Sequence, residues 1–328
     1  MSESSTGATV GKARWQRVVV PLIFYGLLLV FIATAILTID WSELEGLEIS
    51  WTPLILATVM SVLYRYLGVF IWLRLLRRLG GTGLRGHYAE LTYIYAKSWL
   101  GRYIPGTATW ILGKIYFAGR HGVPRSKLAV SGLLEGALQI VATLIVGTTL
   151  VLLDSRADAI APWLRWTMIA ALVGSVAVLI PPVFHRLLAL AFRVLRRSAP
   201  DPSIFPTWST VLEATGLYVL GALLAGTSYY FVAVSVYPDL PPTDALYVIG
   251  AVSVAAAISL LAFFAPGGLG VRELTLGLLL APLMPSAVVV VLVVLLRVWS
   301  IAVDILFFAI SRLATRPRRP GAIAADAT

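Results

Sequence analysis

Residues 263–274 read FFAPGGLGVREL. Proline, three glycines, an arginine and a glutamate interrupt two apolar runs. A helix in hydrocarbon pairs its own backbone groups. Broken helix at membrane depth is tolerated only where protein or a water-filled cavity satisfies the freed N–H and C=O groups. The stretch therefore predicts a helix break inside a membrane protein, with Arg272 and Glu273 placed at the break.

The composition around it agrees. The chain has 328 residues, 59% hydrophobic and 13% charged, with a mean hydropathy of +0.88. Soluble chains carry about a quarter charged residues. Apolar runs here exceed the ~18 residues that mark a transmembrane helix. The loops are short and leave no room for a large soluble catalytic domain. There is no cysteine, which excludes disulfides and thiolate chemistry. His87, His121 and His185 are scattered near segment ends and do not read as a metal set, and no cofactor motif is present. The net charge is +10. Its basic residues flank apolar spans, so cytoplasmic loops and anionic headgroups explain them better than nucleic acid does.

Hydropathy predicts six full spans, near 18–39, 52–76, 127–153, 159–182, 208–236 and 286–311. The first follows Lys12, Arg14 and Arg17 and reads as a retained signal anchor. Two further apolar regions, 87–120 and 244–282, are each interrupted by a proline–glycine pair. Most of the 26 basic residues collect in alternate connections and at both termini, while acidic residues fill the others. The positive-inside rule then places both termini of a multi-pass membrane protein in the cytoplasm; a prokaryotic cell membrane is the expected location. With those sides, region 87–120 begins and ends inside, and region 244–282 begins and ends outside. Each second arm, Thr107–Gly119 and Leu269–Ala281, extends only about 20 Å at 1.5 Å per residue, against a hydrocarbon core of about 30 Å.

The expected fold is therefore all-α and polytopic, with about six spans and two opposed re-entrant hairpins in an inverted-topology repeat. Its units are a basic N-terminus (1–17), a first membrane repeat (18–154), a second (159–313) and a basic tail (314–328). Interrupted segments at matching places in two halves point to a substrate site near the midplane. The region after Pro182, with Arg186, Arg193, Arg196 and Arg197 among apolar residues, reads as an amphipathic surface helix.

Ionisable groups inside a membrane are costly and are candidates for function. Arg65 and Glu135 fall near mid-depth. Arg297 and Asp304 lie seven residues apart, on one face of the last span. Arg102 precedes the first tip, Pro105-Gly106, and Lys114 sits on the returning arm. Arg272 and Glu273 follow the second tip, Pro266-Gly267-Gly268, and Gly270. At mid-depth the tally is Arg65, Arg102, Arg272 and Arg297 against Glu135 and Glu273. That arginine surplus suits a phosphate. Helix N-termini after Gly106 and Gly270 would add N–H donors for an anion. A rival reading uses the acidic external loop, Asp40 to Glu48, as the catalytic carboxylates of a polyprenyl-phosphate-dependent glycosyltransferase. A third makes the chain a non-transporting membrane subunit of a lipid-modifying enzyme.

The run Ser98-Trp99-Leu100-Gly101-Arg102-Tyr103-Ile104-Pro105-Gly106, followed by Gly113-Lys114, and the block Pro266-Gly267-Gly268-Leu269-Gly270-Val271-Arg272-Glu273 carry a resemblance. Together with Glu135 and Arg297 they are similar to the lysylphosphatidylglycerol synthase transmembrane, or flippase-like, family. The resemblance implies a lipid flippase domain over roughly residues 18–313. It implies as substrate a membrane phospholipid, such as an aminoacyl-phospholipid, or a polyprenyl-linked glycan. A glycosyltransferase or aminoacyl-transferase would be a possible partner, and no nucleic acid is involved. The aminoacyl-transferase domain of the synthases has no counterpart in this sequence, so no enzyme activity is expected. Where family members often carry Glu-Arg, this chain has Glu135-Gly136, which leaves the partner of Glu135 to Arg65 or Arg297.

Overall fold

A computed structural model describes residues 48–82, 84, 86–103, 109–121, 123–194, 206–262 and 270–315, together with Gly26. The first span and both proline–glycine tips lie outside the described residues. The described residues are helical, without a strand. In order they form α1 (Trp51–Arg78), α2 (Tyr88–Leu100), α3 (Thr109–Ala118), α4 (Arg125–Leu153), α5 (Pro162–Val178), α6 (Pro181–Val194), α7 (Trp208–Val236), α8 (Ala245–Leu261), α9 (Val271–Leu280) and α10 (Ser286–Ala314).

Four of the expected spans appear as α1, α4, α7 and α10, all long and apolar enough to cross a membrane. A fifth such stretch is Pro242–Leu261, which joins a short 3-10 turn to α8. The sequence reading makes that segment one arm of a short hairpin; by length and composition it can cross by itself. The reverse holds for region 159–182. Its helix, α5, has 17 residues, about 26 Å at 1.5 Å per residue. Prolines bound it: Pro162 opens α5 and Pro181-Pro182 open α6. Proline has no N–H and cannot continue a helix already under way. The returning arms α3 and α9 have 10 residues each, about 15 Å, too short to cross.

The two halves match in plan. Helices α1 to α4 have 28, 13, 10 and 29 residues. Helices α7, α8, α9 and α10 have 29, 17, 10 and 29. Packing follows the same correspondence. Helix α1 packs along its counterpart α7, α4 packs on α8, and α10 packs on α2. Likewise α3 contacts α4 while α9 contacts α10. Exchanging the halves maps this contact pattern onto itself.

The α4–α8 seam depends on small residues. A Cβ on Gly147 would lie 2.6 Å from the backbone nitrogen of Val254, and one on Gly250 would lie 3.0 Å from Leu150 and Val151 side chains. Close backbone approach through small residues is how membrane helices gain packing energy, since lipid offers no hydrophobic drive between them. The outer face of α1 shows Ile55, Val59, Leu63 and Phe70, a stripe suited to acyl chains. Exposed Trp51, Trp163 and Trp166 stand at helix starts, as interfacial tryptophans do.

Polar clamps close the two ends. Glu213 at the start of α7 binds Arg74 and, at 2.8 Å, Arg78 of α1. At the other end Arg156 binds Asp154 at 3.3 Å and also Asp244. The Asp244 hydrogen bond comes first among the causes that raise the Arg156 pKa above its ordinary value. In α6, Leu187 and Leu190 are exposed beside exposed Arg186, consistent with the expected surface helix.

Candidate functional site

The expected site residues that are described fall into three clusters. Pro105, Gly106, Pro266, Gly267 and Gly268 lie outside the described residues.

The first cluster centres on Asp304, which α10 holds fully buried. One carboxylate oxygen accepts from Arg65 Nε of α1 at 2.7 Å and from Trp99 Nε1 of α2 at 3.2 Å. The other accepts from Arg102 at 2.8 Å and from the Tyr103 hydroxyl at 2.6 Å. Aromatic faces complete the shell. The Arg65 guanidinium lies 5.0 Å from the Tyr64 ring and 5.3 Å from Trp99, and Arg102 lies 4.6 Å from Trp99. Four side chains, from α1, the end of α2 and the turn after it, thus share one carboxylate of α10.

The second cluster forms around the start of α9. Gly270 has φ +81°, a conformation glycine adopts without a Cβ penalty. Its N–H donates to Glu273 Oε2 at 2.7 Å, so Glu273 caps the helix it belongs to. Glu273 Oε1 faces Arg297 of α10 at 3.4 Å. Arg272 donates instead to the hydroxyl of Tyr229 on α7, with its guanidinium 4.7 Å from the same ring. Tyr229 in turn packs edge-on against Trp299, whose indole donates to Thr58 of α1 at 3.0 Å.

The two clusters meet. The Arg297 guanidinium lies 5.6 Å from the Tyr103 ring, and the Tyr103 hydroxyl accepts from Arg102 at 3.1 Å while donating to Asp304. The end of α2, with Arg102 and Tyr103, and the start of α9 therefore converge on one place beside α10.

The third cluster is sealed. Lys114 and Glu135 are 0% and 1% exposed and pair with each other. The Tyr95 hydroxyl donates to the other oxygen of Glu135 at 2.8 Å. Rings of Tyr95, Trp110 and Trp72 surround the ammonium at 4.0, 4.7 and 5.4 Å.

This geometry revises the sequence tally in two ways. Asp304, left out of it, is the acid to which Arg65 and Arg102 bind. The partner of Glu135 is Lys114, not Arg65 or Arg297. Its spacing could have pointed there: Lys114 faces back toward α4 across the short turn that joins α3 to α4. With both added, the interior holds Arg65, Arg102, Lys114, Arg272 and Arg297 against Glu135, Glu273 and Asp304. The cationic surplus survives. It sits in the two converging clusters, each with one more cation than anion, and not in the sealed pair. Residues 18–38, 104–108 and 263–269 contain no aspartate or glutamate that could cancel it. Tyr103, Trp99 and Tyr229 are site residues that sequence reasoning did not single out. Their signal was modest, an aromatic residue beside each hairpin arginine or in a facing span.

A family model for the lysylphosphatidylglycerol synthase TM region matches residues 18–307. No curated protein matches, and no solved structure matches. The match covers most of the chain, which belongs to this family of transmembrane regions.

Proposed function

We propose that this member of the lysylphosphatidylglycerol synthase TM family is a lipid flippase or scramblase for an anionic or phosphate-linked lipid. The observation that carries the reading is the convergence of two arginine-rich clusters, one beside each hairpin, with a joint surplus of two positive charges. Buried charge without a counterion is expensive. A mobile phosphate satisfies it, and arginine presents planar paired donors to such an oxyanion.

The roles divide by partner. Arg65 is committed to Asp304 and holds the first cluster together. Arg102 shares that carboxylate and keeps one edge toward the second cluster. Among the described residues the polar partner of Arg272 is a neutral hydroxyl, so a phosphate can displace Tyr229 from it at little cost. Arg297, held by Glu273, adds a second cation. Glu273 competes with the phosphate for Arg297 and thereby keeps binding weak enough to release. Gly270 lets the backbone approach, and the start of α9 adds N–H donors of positive dipole. The matched halves, entered from opposite leaflets by their hairpins, give an alternating path around this site. The sequence holds no P-loop, so movement runs downhill or with an ion.

Vesicle reconstitution with fluorescent phosphatidylglycerol tests the reading. The protein should accelerate exchange between leaflets, and Arg102→Ala/Arg272→Ala should abolish it. Equal exchange by wild type and the double variant sinks the site.

A further inference from the structure

An open cleft of about 350 Å³ lies outside all three clusters, where the outer part of α2 meets the ends of α3 and α10. Lys97, Phe117, Arg120, Tyr93, Glu90 and Thr315 line it. Lys97 and Arg120 are exposed, and no described carboxylate forms an ion pair with either. Each lies over an aromatic ring: Lys97 Nζ is 4.1 Å from the Phe117 centroid and Arg120 is 5.5 Å from that of Tyr116. Glu90 stands at the outer end of α2 and is hydrogen-bonded to His87 Nδ1 at 2.9 Å. Two cations thus face an aromatic-floored cleft whose carboxylate is engaged at the rim.

Its position adds to its chemistry. On the positive-inside expectation this end faces the cytoplasmic leaflet, at headgroup level. Lys97 precedes Arg102 by five residues, about 8 Å along the chain's helical path. Thr315 follows Asp304 by eleven residues, about 16 Å along α10. Tyr93 and Phe308 pack at 5.5 Å and hold α2 against α10 beside the cleft. Two of the three elements that build the Asp304 cluster, α2 and α10, therefore line the cleft one to three turns farther out.

We propose that this cleft is a phosphate-binding vestibule, in which Lys97 and Arg120 hold a phosphate group before it moves to the converging clusters. The chemistry fits a phosphate borne by a lipid headgroup or a free phosphate ion, and its place beside the first hairpin rests on the transport reading above. The absence of cysteine allows a clean probe. Full-length Thr315→Cys carries a spin label and is reconstituted in phosphatidylcholine vesicles with increasing phosphatidylglycerol. The label should lose mobility as phosphatidylglycerol rises. Lys97→Gln/Arg120→Gln should need about tenfold more lipid for the same response, equivalent to about 1.4 kcal/mol. Arg272→Gln should leave the response unchanged. Inorganic phosphate that reproduces the response, with the same sensitivity to the double variant, supports the site and assigns it to a free ion. A response to neither probe overturns the proposal, as does equal response by wild type and double variant, or its loss in Arg272→Gln. The readout is binding, so a chain that binds here yet moves no lipid refutes the transport reading alone.

Discussion

Replacing Asp304 by asparagine separates the arginines that hold the fold from those proposed to hold the substrate. Asparagine keeps the size of the side chain and one carbonyl acceptor. That oxygen can still accept from Arg65 Nε and Trp99 Nε1. The amide nitrogen, however, now faces Arg102 at the 2.8 Å position, where arginine can only donate. Tyr103 can rotate its hydroxyl to accept; Arg102, 22% exposed, can turn away from the amide. Arg65 is 7% exposed and has no such exit. Breaking a buried pair by removing one partner costs about 3–5 kcal/mol, because the other charge stays buried. Asp304→Asn should therefore destabilise the protein by that amount. Adding Arg65→Met removes the stranded charge, and the double variant should recover more than half of the loss. Unfolding in detergent, followed by tryptophan fluorescence, reads all four corners of the cycle, with Trp99 beside the site as reporter. The coupling should exceed about 2 kcal/mol, within the range for residues in one network. A loss below about 1 kcal/mol, or additive single variants, would refute the pairing on which the division of roles rests.

Other outcomes follow from the same geometry. Lys114→Met or Glu135→Leu alone should each destabilise by about 3–5 kcal/mol, while the double variant returns close to wild type, since an apolar pair can replace a sealed ion pair; thermal unfolding distinguishes this from additive damage. Gly147→Leu should disrupt the α4–α8 seam, because its Cβ meets backbone at Val254 2.6 Å away; a loss of at least about 1–3 kcal/mol is expected from overpacking, and a neutral result in the same unfolding assay contradicts the seam. Asp40→Asn/Glu43→Gln should leave lipid exchange unchanged. If instead that variant abolishes a sugar transfer that the arginine variants spare, the chain is a glycosyltransferase.

Much of the architecture was legible because the strongest signal, long apolar runs broken by proline and glycine, is also what decides helix ends in a membrane. Helix α7 occupies the same residues, 208–236, that hydropathy marks, and α1 and α4 differ by only one or two residues at either end. The lengths of α5 and α8 were harder to read. Apolar residues continue past the prolines that stop α5, and hydropathy does not register a missing N–H. The ion pairs were mostly hidden. Arg65 and Asp304 are 239 positions apart, and nothing local tells which helices lie side by side. The spacing of Arg297 and Asp304 correctly placed both on one face of α10. It did not reveal that the two serve different clusters, one turned toward α1 and α2 and the other toward α9. The break at FFAPGGLGVREL kept its importance for a more specific reason: of its two charged residues, Glu273 is bound to Gly270 and Arg297, and Arg272 is the cation with a neutral partner.

In the proposed transport a lipid phosphate binds where the two clusters meet, with Arg272 as its principal ligand. A cryo-electron microscopy map of the full-length protein in phosphatidylglycerol nanodiscs tests this most directly. Phosphate density is expected within hydrogen-bond reach, about 3 Å, of Arg272, close to Arg297, with the Tyr229 hydroxyl displaced. A map in which Arg272 stays on Tyr229 and phosphate density is confined to the bilayer surface would contradict it.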